Sequence, residues 1–442
     1  MEMQYMLTTK IIPLWLKFVL PAIVGVVLNT IYIMVDGIFV GQGTGEAGLA
    51  GVNLAWPAVT IILGIGLMLG AGTTIVVSKS LGESDKDKAE RTLATIVKFI
   101  VLIGAVLSVV GFMFATPITN FLGATEDTFG YTQDYFVVVY FMAIPYLFSN
   151  TLTLLVRADG NPNLSMIMVG AGAIGNIVLD WLFVLVLGLG TRGAALATGC
   201  GVILSTTIGL WYFIKGPSNL KLKKEYFIFD TSILKEVCKI GAASLFIQLS
   251  TGIIILVQNH LLYIYGSTDY VAIFCVSGYI WALYNSICLG IGQGIQPVLA
   301  FHFGANSHER LKSLVKFTML VSVSLGLLFL AGLFFFGEHL IGLYGISDNI
   351  MQLAYELTFI FCFGSPVLGI VHTMTCYYQA TNKSSYANII SIGRGTVLQT
   401  TFAIVLSYLY GAIGVFFAQA SADILAIFIV GVLALIEKKG GR

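Results

Sequence analysis

The chain has 442 residues, 57% of them hydrophobic and only 10% charged, where a soluble domain carries about 25% charged residues. That composition excludes a soluble enzyme and describes an integral membrane protein. A net charge of +1 leaves no bulk basicity for nucleic acid, and six cysteines set singly, with no CxxC pair, exclude a disulfide framework or a zinc site.

A membrane-crossing helix needs about 20 mostly apolar residues. Taken in chain order, about twelve stretches meet that length, and no cleavable signal is expected ahead of the first. The first half gives 13–39, 50–78, 92–115, 130–156, 163–188 and 193–214. The second gives 240–264, 270–299, 312–336, 350–378, 385–408 and 411–436. The spacing predicts an all-α polytopic protein with no catalytic constellation.

Span 1 carries Asp36 inside the uncharged run "NTIYIMVDGIFVG". An aspartate at the centre of a membrane helix costs about 2.5–3.5 kcal/mol on insertion scales, so it signals a purpose. Asn29, Tyr32 and Asp36 share a helix face by spacing, which makes Asn29 and Tyr32 candidates for lining a cavity. Pro21 interrupts the same span and reads as a hinge or as a static kink.

Span 5 contains "GNIVLDWLF", with Asn176 one turn before Asp180, so both lie on one face. Thr198 follows early in span 6, in "GAALATGCG". Spans 1 and 5 carry their polar groups in the half away from the termini, and span 6 begins there, so all four residues are expected at one depth. Two carboxylates, an amide and a hydroxyl are hard oxygen donors for a small hard cation. Two buried carboxyls side by side also hold a proton readily. Na⁺ and H⁺ both remain open as the coupling ion, with no other cofactor expected; a purely structural hydrogen-bonding role is the alternative.

The basic stretch 215–239 is expected to link two lobes, 1–214 and 240–442. Beyond it, landmarks of the first half return at a spacing of about 221: Pro145 with Pro366, Asn161 with Asn382, Gly193 with Gly414, and Gly82 with Gly304. Each half holds an even number of spans, so the two are parallel repeats around a central cavity, a transporter architecture. Asp36 then corresponds to Gln258, Asn176 to Val397, Asp180 to Thr401 and Thr198 to Gln419. The carboxylates occur in one copy alone, which marks them as an ion site rather than a scaffold requirement. Gln258 and Glu356 of the second half are weaker cavity candidates, and Arg394 and Asp423, at similar depth on neighbouring spans, form an expected structural ion pair. Nearly all lysines and arginines lie on the side of the termini, which the positive-inside rule places in the cytoplasm. "GLGTRG" (188–193) joins two spans and is not a dinucleotide fingerprint.

Across essentially its whole length the chain resembles the multidrug and toxic compound extrusion (MATE) transporters, on the strength of "IYIMVDGIFVGQ", "RADGNP", "GNIVLDWLF" and "GLGTRGAALAT". The resemblance implies export of bulky, often cationic or amphipathic drugs from a cell membrane, in exchange for Na⁺ or H⁺, by rocker-switch alternating access. It implies a cation site at Asp36, Asn176, Asp180 and Thr198 and a bend in span 1 at Pro21. A single chain holding both lobes is expected to work as a monomer within the lipid bilayer. The alternative within the superfamily is a flippase for lipid-linked oligosaccharide or peptidoglycan precursors, which needs a basic cavity for diphosphate.

Overall fold

A computed structural model describes residues 5–222, 226, 230–344, 346 and 348–440. Among these residues there are helices and no strands. Eleven helices are long and apolar enough to cross a membrane, and a bent pair supplies a twelfth span. The first lobe contains Ile11–Gly45, Ala47–Gly82, Lys86–Met113, the pair Glu126–Phe141 and Ala143–Ala158, Pro162–Val186 and Gly190–Ile214. The second contains Thr231–Tyr265, Asp269–Gly304, His308–Gly342, Asn349–Ala380, Ser384–Tyr410 and Ile413–Lys438. They are numbered spans 1 to 12. An even number of crossings returns both ends of the chain to one side, here called the terminal side.

The outer faces are apolar. On span 3, Val101, Leu102, Val106, Val109 and Phe112 are 47–75% exposed. In water such a stripe would be a site of association, whereas lipid solvates it. Spans 1 and 2 run into each other with a single break at Gly45, at φ 68 and ψ −162, a conformation open to glycine and closed to most other residues. Span 4 bends by 59° around Met142. Span 7 begins at Thr231, where the Asp230 carboxylate accepts from Ser232 N at 2.9 Å and Ile233 N at 3.1 Å. The last nine residues of the stretch expected as linker are therefore helical. Their charges hid this from a hydropathy reading, because the helix extends past the apolar core, where Glu236 meets Lys88 of the first lobe at 3.0 Å.

The repeat is clearer in the backbone than in residue identity. Left-handed residues recur in corresponding connections: Ser84 and Asn306, then Gly160 and Asn382. The second pair refines the register, since Asn382 matches Gly160 rather than Asn161. Asn161 instead corresponds to Lys383, both standing at the N-cap of the next helix.

Glycines seal the lobes together over the terminal half. A Cβ on Gly82 would stand 2.2 Å from the Phe301 carbonyl, and one on Gly304 2.1 Å from the Lys79 carbonyl. A Cβ on Gly72 would stand 2.1 Å from the Val237 carbonyl, and ones on Gly290 and Gly294 would press on Ile23 and Val19 of span 1. Towards the other side the picture reverses, and Gly37, Gly41 and Gly278 meet nothing within 4 Å. The lobes touch on the terminal side and part on the opposite one.

Candidate functional site

Small residues set the distances in the first lobe. Gly172 and Gly201 bring the backbones of spans 5 and 6 together, with a Cβ on Gly201 falling 2.5 Å from the Gly172 carbonyl. Asn176 thereby reaches Thr198, its Nδ2 donating to Oγ1 at 3.1 Å. The Thr198 hydroxyl is itself spent on the Ala194 carbonyl at 3.0 Å. Thr198 therefore orients Asn176. Gly43 seats the end of span 1 away from the terminal side on Val184 of span 5, bringing Asp36 to Asp180.

The two carboxyl groups lie close enough for one to donate to the other when protonated, and Asn176 lies against Asp180. Asp36 is 8% exposed and Asp180 fully buried. Asp36 Oδ1, both Asp180 oxygens and Asn176 Oδ1 have no hydrogen-bond partner among the described residues. Four unsatisfied oxygens in one buried place are costly unless a proton or a hard cation fills the gap. The donor set fits a small hard cation such as Na⁺ as well as it fits a proton.

Tyr32, Tyr135 and Tyr146 stand near enough to interact with both carboxyls. Sequence reasoning missed the last two. They stand on either side of the bend at Met142, so helical periodicity could not have put them on one face. Asn29 is exposed. Pro21 is buried within a helix whose torsions stay regular around it, Gly45 being the break.

The second lobe builds something different. Arg394 Nε donates to Asp423 Oδ1 at 2.6 Å. Gln419 Nε2 donates to Asp423 Oδ2 at 3.0 Å, and Gln399 Nε2 donates to Gln419 Oε1. Both Asp423 oxygens are satisfied. Gln258 is 3% exposed with Nε2 unpartnered among the described residues, and Glu356 is exposed, accepting from Gln352 at 2.8 Å.

Equating Asp180 with Thr401 and Asn176 with Val397 does not survive as a spatial correspondence. Thr401 is exposed and Val397 is 53% exposed, while Gln399 is buried and reaches Gln419. The cause is a π-helical turn. Span 5 is α-helical through Asp180 and widens at Trp181–Val186, whereas span 11 widens earlier, at Gly393–Leu398. A π turn inserts an extra residue and rotates the rest of the helix by about 100°.

A family profile described as MatE matches residues 21–182 and again 240–405, once per lobe. The multidrug export protein MepA of Staphylococcus aureus (strain MSSA476) is 26% identical over 431 residues, covering 96% of this chain and 93% of the relative. A crystal structure of a MATE protein in complex with MaL6 superposes with a TM-score of 0.91 at 22% identity over 98% of each chain. The outward-facing conformation of a multidrug resistance MATE family transporter of the MOP superfamily gives 0.89, also at 22% identity and 98% of each chain. These structures share the fold.

Proposed function

The chain belongs to the MatE family of membrane transporters, and we propose that it is a secondary-active multidrug antiporter that exchanges bulky cationic or amphipathic compounds for Na⁺ or H⁺. It works as a monomer in the cytoplasmic membrane, with both termini in the cytoplasm. The orientation rests on the lysines and arginines gathered at the terminal side. The seal on that side and the parted lobes on the other then describe a state open to the exterior.

The observation that carries the reading is the group of unpartnered oxygens on Asp36, Asp180 and Asn176. A cation or proton arriving from outside neutralises the pair, and Tyr32, Tyr135 and Tyr146 restrict water around it. Asn176, held by Thr198, presents an amide oxygen as a further ligand. Neutralisation removes the cost of burying two like charges and so favours one arrangement of spans 1, 5 and 6 over another. A coupling ion shifts the lobe equilibrium only through such a difference between states. The export of drugs is carried over from MepA. A flippase of diphosphate lipids would need free cationic groups deep in the cavity, whereas Arg394 is neutralised by Asp423.

The test is efflux of a fluorescent cationic dye from vesicles carrying wild type or Asp36→Asn under an imposed Na⁺ or H⁺ gradient. Wild type should export with one gradient, and the variant with neither. Full gradient-driven export by Asp36→Asn would overturn the assignment.

A further inference from the structure

Two contacts between the lobes on the terminal side follow one plan, and the coupling site uses neither. Lys88 is the third residue of span 3, and its Nζ reaches Glu236, near the start of span 7, at 3.0 Å. Arg310 is the third residue of span 9 and donates from Nη2 to the Met6 carbonyl at 3.2 Å and to the Thr9 carbonyl. Met6 lies in the short helix Tyr5–Thr8 just ahead of span 1, its side chain fully buried. Arg310 follows Lys88 by the same interval that separates Gly304 from Gly82. The third span of each lobe therefore offers a cation to the terminal end of the other lobe's first span.

Neighbouring contacts keep the same pairing of spans. Arg91 of span 3 lies over the Tyr226 ring, 5.5 Å from its centroid, and the Tyr226 hydroxyl donates to Asp87. Lys98 donates to the Tyr226 carbonyl at 3.2 Å, so the connection ahead of span 7 also rests on span 3. In the other half, Trp15 Nε1 of span 1 donates to Thr318 Oγ1 of span 9 at 3.1 Å. The Trp15 and Phe317 rings meet edge to face at 5.7 Å.

We propose that Lys88 and Arg310 are paired clasps that hold the terminal side shut and let go when the cavity opens there. The proposal rests on the two-state reading of transport given above. Each clasp joins one lobe to the other at the end where the glycines seal them, so neither survives a rocking that parts the lobes at that end. The chemistry suits a contact that breaks and reforms. Lys88 and Glu236 are each 32% exposed, so water takes up both charges as they separate, and such a pair is worth little. Arg310 donates to carbonyls, so its departure strands no buried anion. A buried pair such as Arg394 with Asp423 costs far more to break, and that pair lies within one lobe. The strength of the two clasps then sets how much of the protein is closed on this side.

The experiment follows maleimide labelling of Val19→Cys in the purified full chain with its six native cysteines replaced. Val19 is fully buried where span 1 lies against Gly294 of the other lobe. Its labelling reports opening of the seal with no gradient and no dye, so it stands apart from the export assay that tests the antiport reading. Lys88→Glu should speed labelling about fivefold, and exchanging the charges in Lys88→Glu/Glu236→Lys should restore the parent rate. Arg310→Gln should speed it about tenfold, with Arg310→Lys falling between. Lys383→Gln breaks a 2.5 Å pair with Glu437 inside one lobe and should leave the rate unchanged. An unmoved rate in Lys88→Glu or Arg310→Gln, a charge exchange that stays fast, or an equal rise in Lys383→Gln would each overturn the clasps.

Discussion

The two lobes share a backbone plan and treat buried charge in opposite ways. In the first, Asp36 and Asp180 meet with three of their four oxygens unpartnered among the described residues. In the second, Asp423 has both oxygens saturated by Arg394 and Gln419. A saturated carboxylate is held in one state, whereas an unsaturated pair changes state when something mobile arrives. The same six-helix unit thus yields one half with its buried carboxylate paired and one with its carboxylates unpaired, and the placing of one π turn, after Asp180 but before Gln399, distinguishes them.

That contrast breaks first at Asp180. Asp180→Asn should reduce gradient-driven export by about 100-fold while leaving the folded yield intact, since it removes a buried charge that lacks a counter-ion; export rates and size-exclusion profiles from the same preparation check both halves. Next in size is the second lobe. Asp423→Asn leaves the Arg394 guanidinium buried without its counter-charge, at a cost of about 3–5 kcal/mol, read as a fall in melting temperature. Arg394→Met added to Asp423→Asn should recover most of it, and failure to recover would mean that the pair does more than hold helices.

The seal is where the lobes are alike, so it sharpens the contrast. Gly82→Ala and Gly304→Ala each push a methyl into a carbonyl of the facing lobe. Each should cost about 1–3 kcal/mol of the sealed state, seen as faster labelling of a cysteine placed on the terminal side of the cleft. Gly37→Ala, with open space around it, should leave labelling unchanged. The smallest effect is expected of a transplant. Gln258→Asp in an Asp36→Asn background should not restore coupled export, because Asp423 is already held by Arg394 and Gln419 and leaves the new carboxylate no unpaired partner; recovered dye export would refute this account of the asymmetry.

Much of the carboxylate pair in the first lobe was legible in the sequence. Asp36 stood out because nothing near it was charged, and Asn176 and Asp180 shared a face by simple periodicity. What stayed hidden was relational. Thr198 was expected at the depth of Asn176, and only the fold showed that its hydroxyl accepts from Asn176 while donating to the Ala194 carbonyl. Tyr135 and Tyr146 could not be told from packing residues until span 4 was folded against span 1. In the second lobe, counting residues from one repeat to the other named Thr401, while the helix turned Gln399 inward.

By itself the sequence determined the solvent, the number of crossings, the doubling of the unit and the residues too costly to bury without purpose. These arise from transfer free energies and helical periodicity, which act over one or two turns. The tertiary structure alone decided which oxygens were left unsatisfied, which were paired, and where the lobes touch. Those outcomes turn on backbone approaches of a few ångströms between distant segments, and on a single inserted residue that rotates a helix face by about 100°.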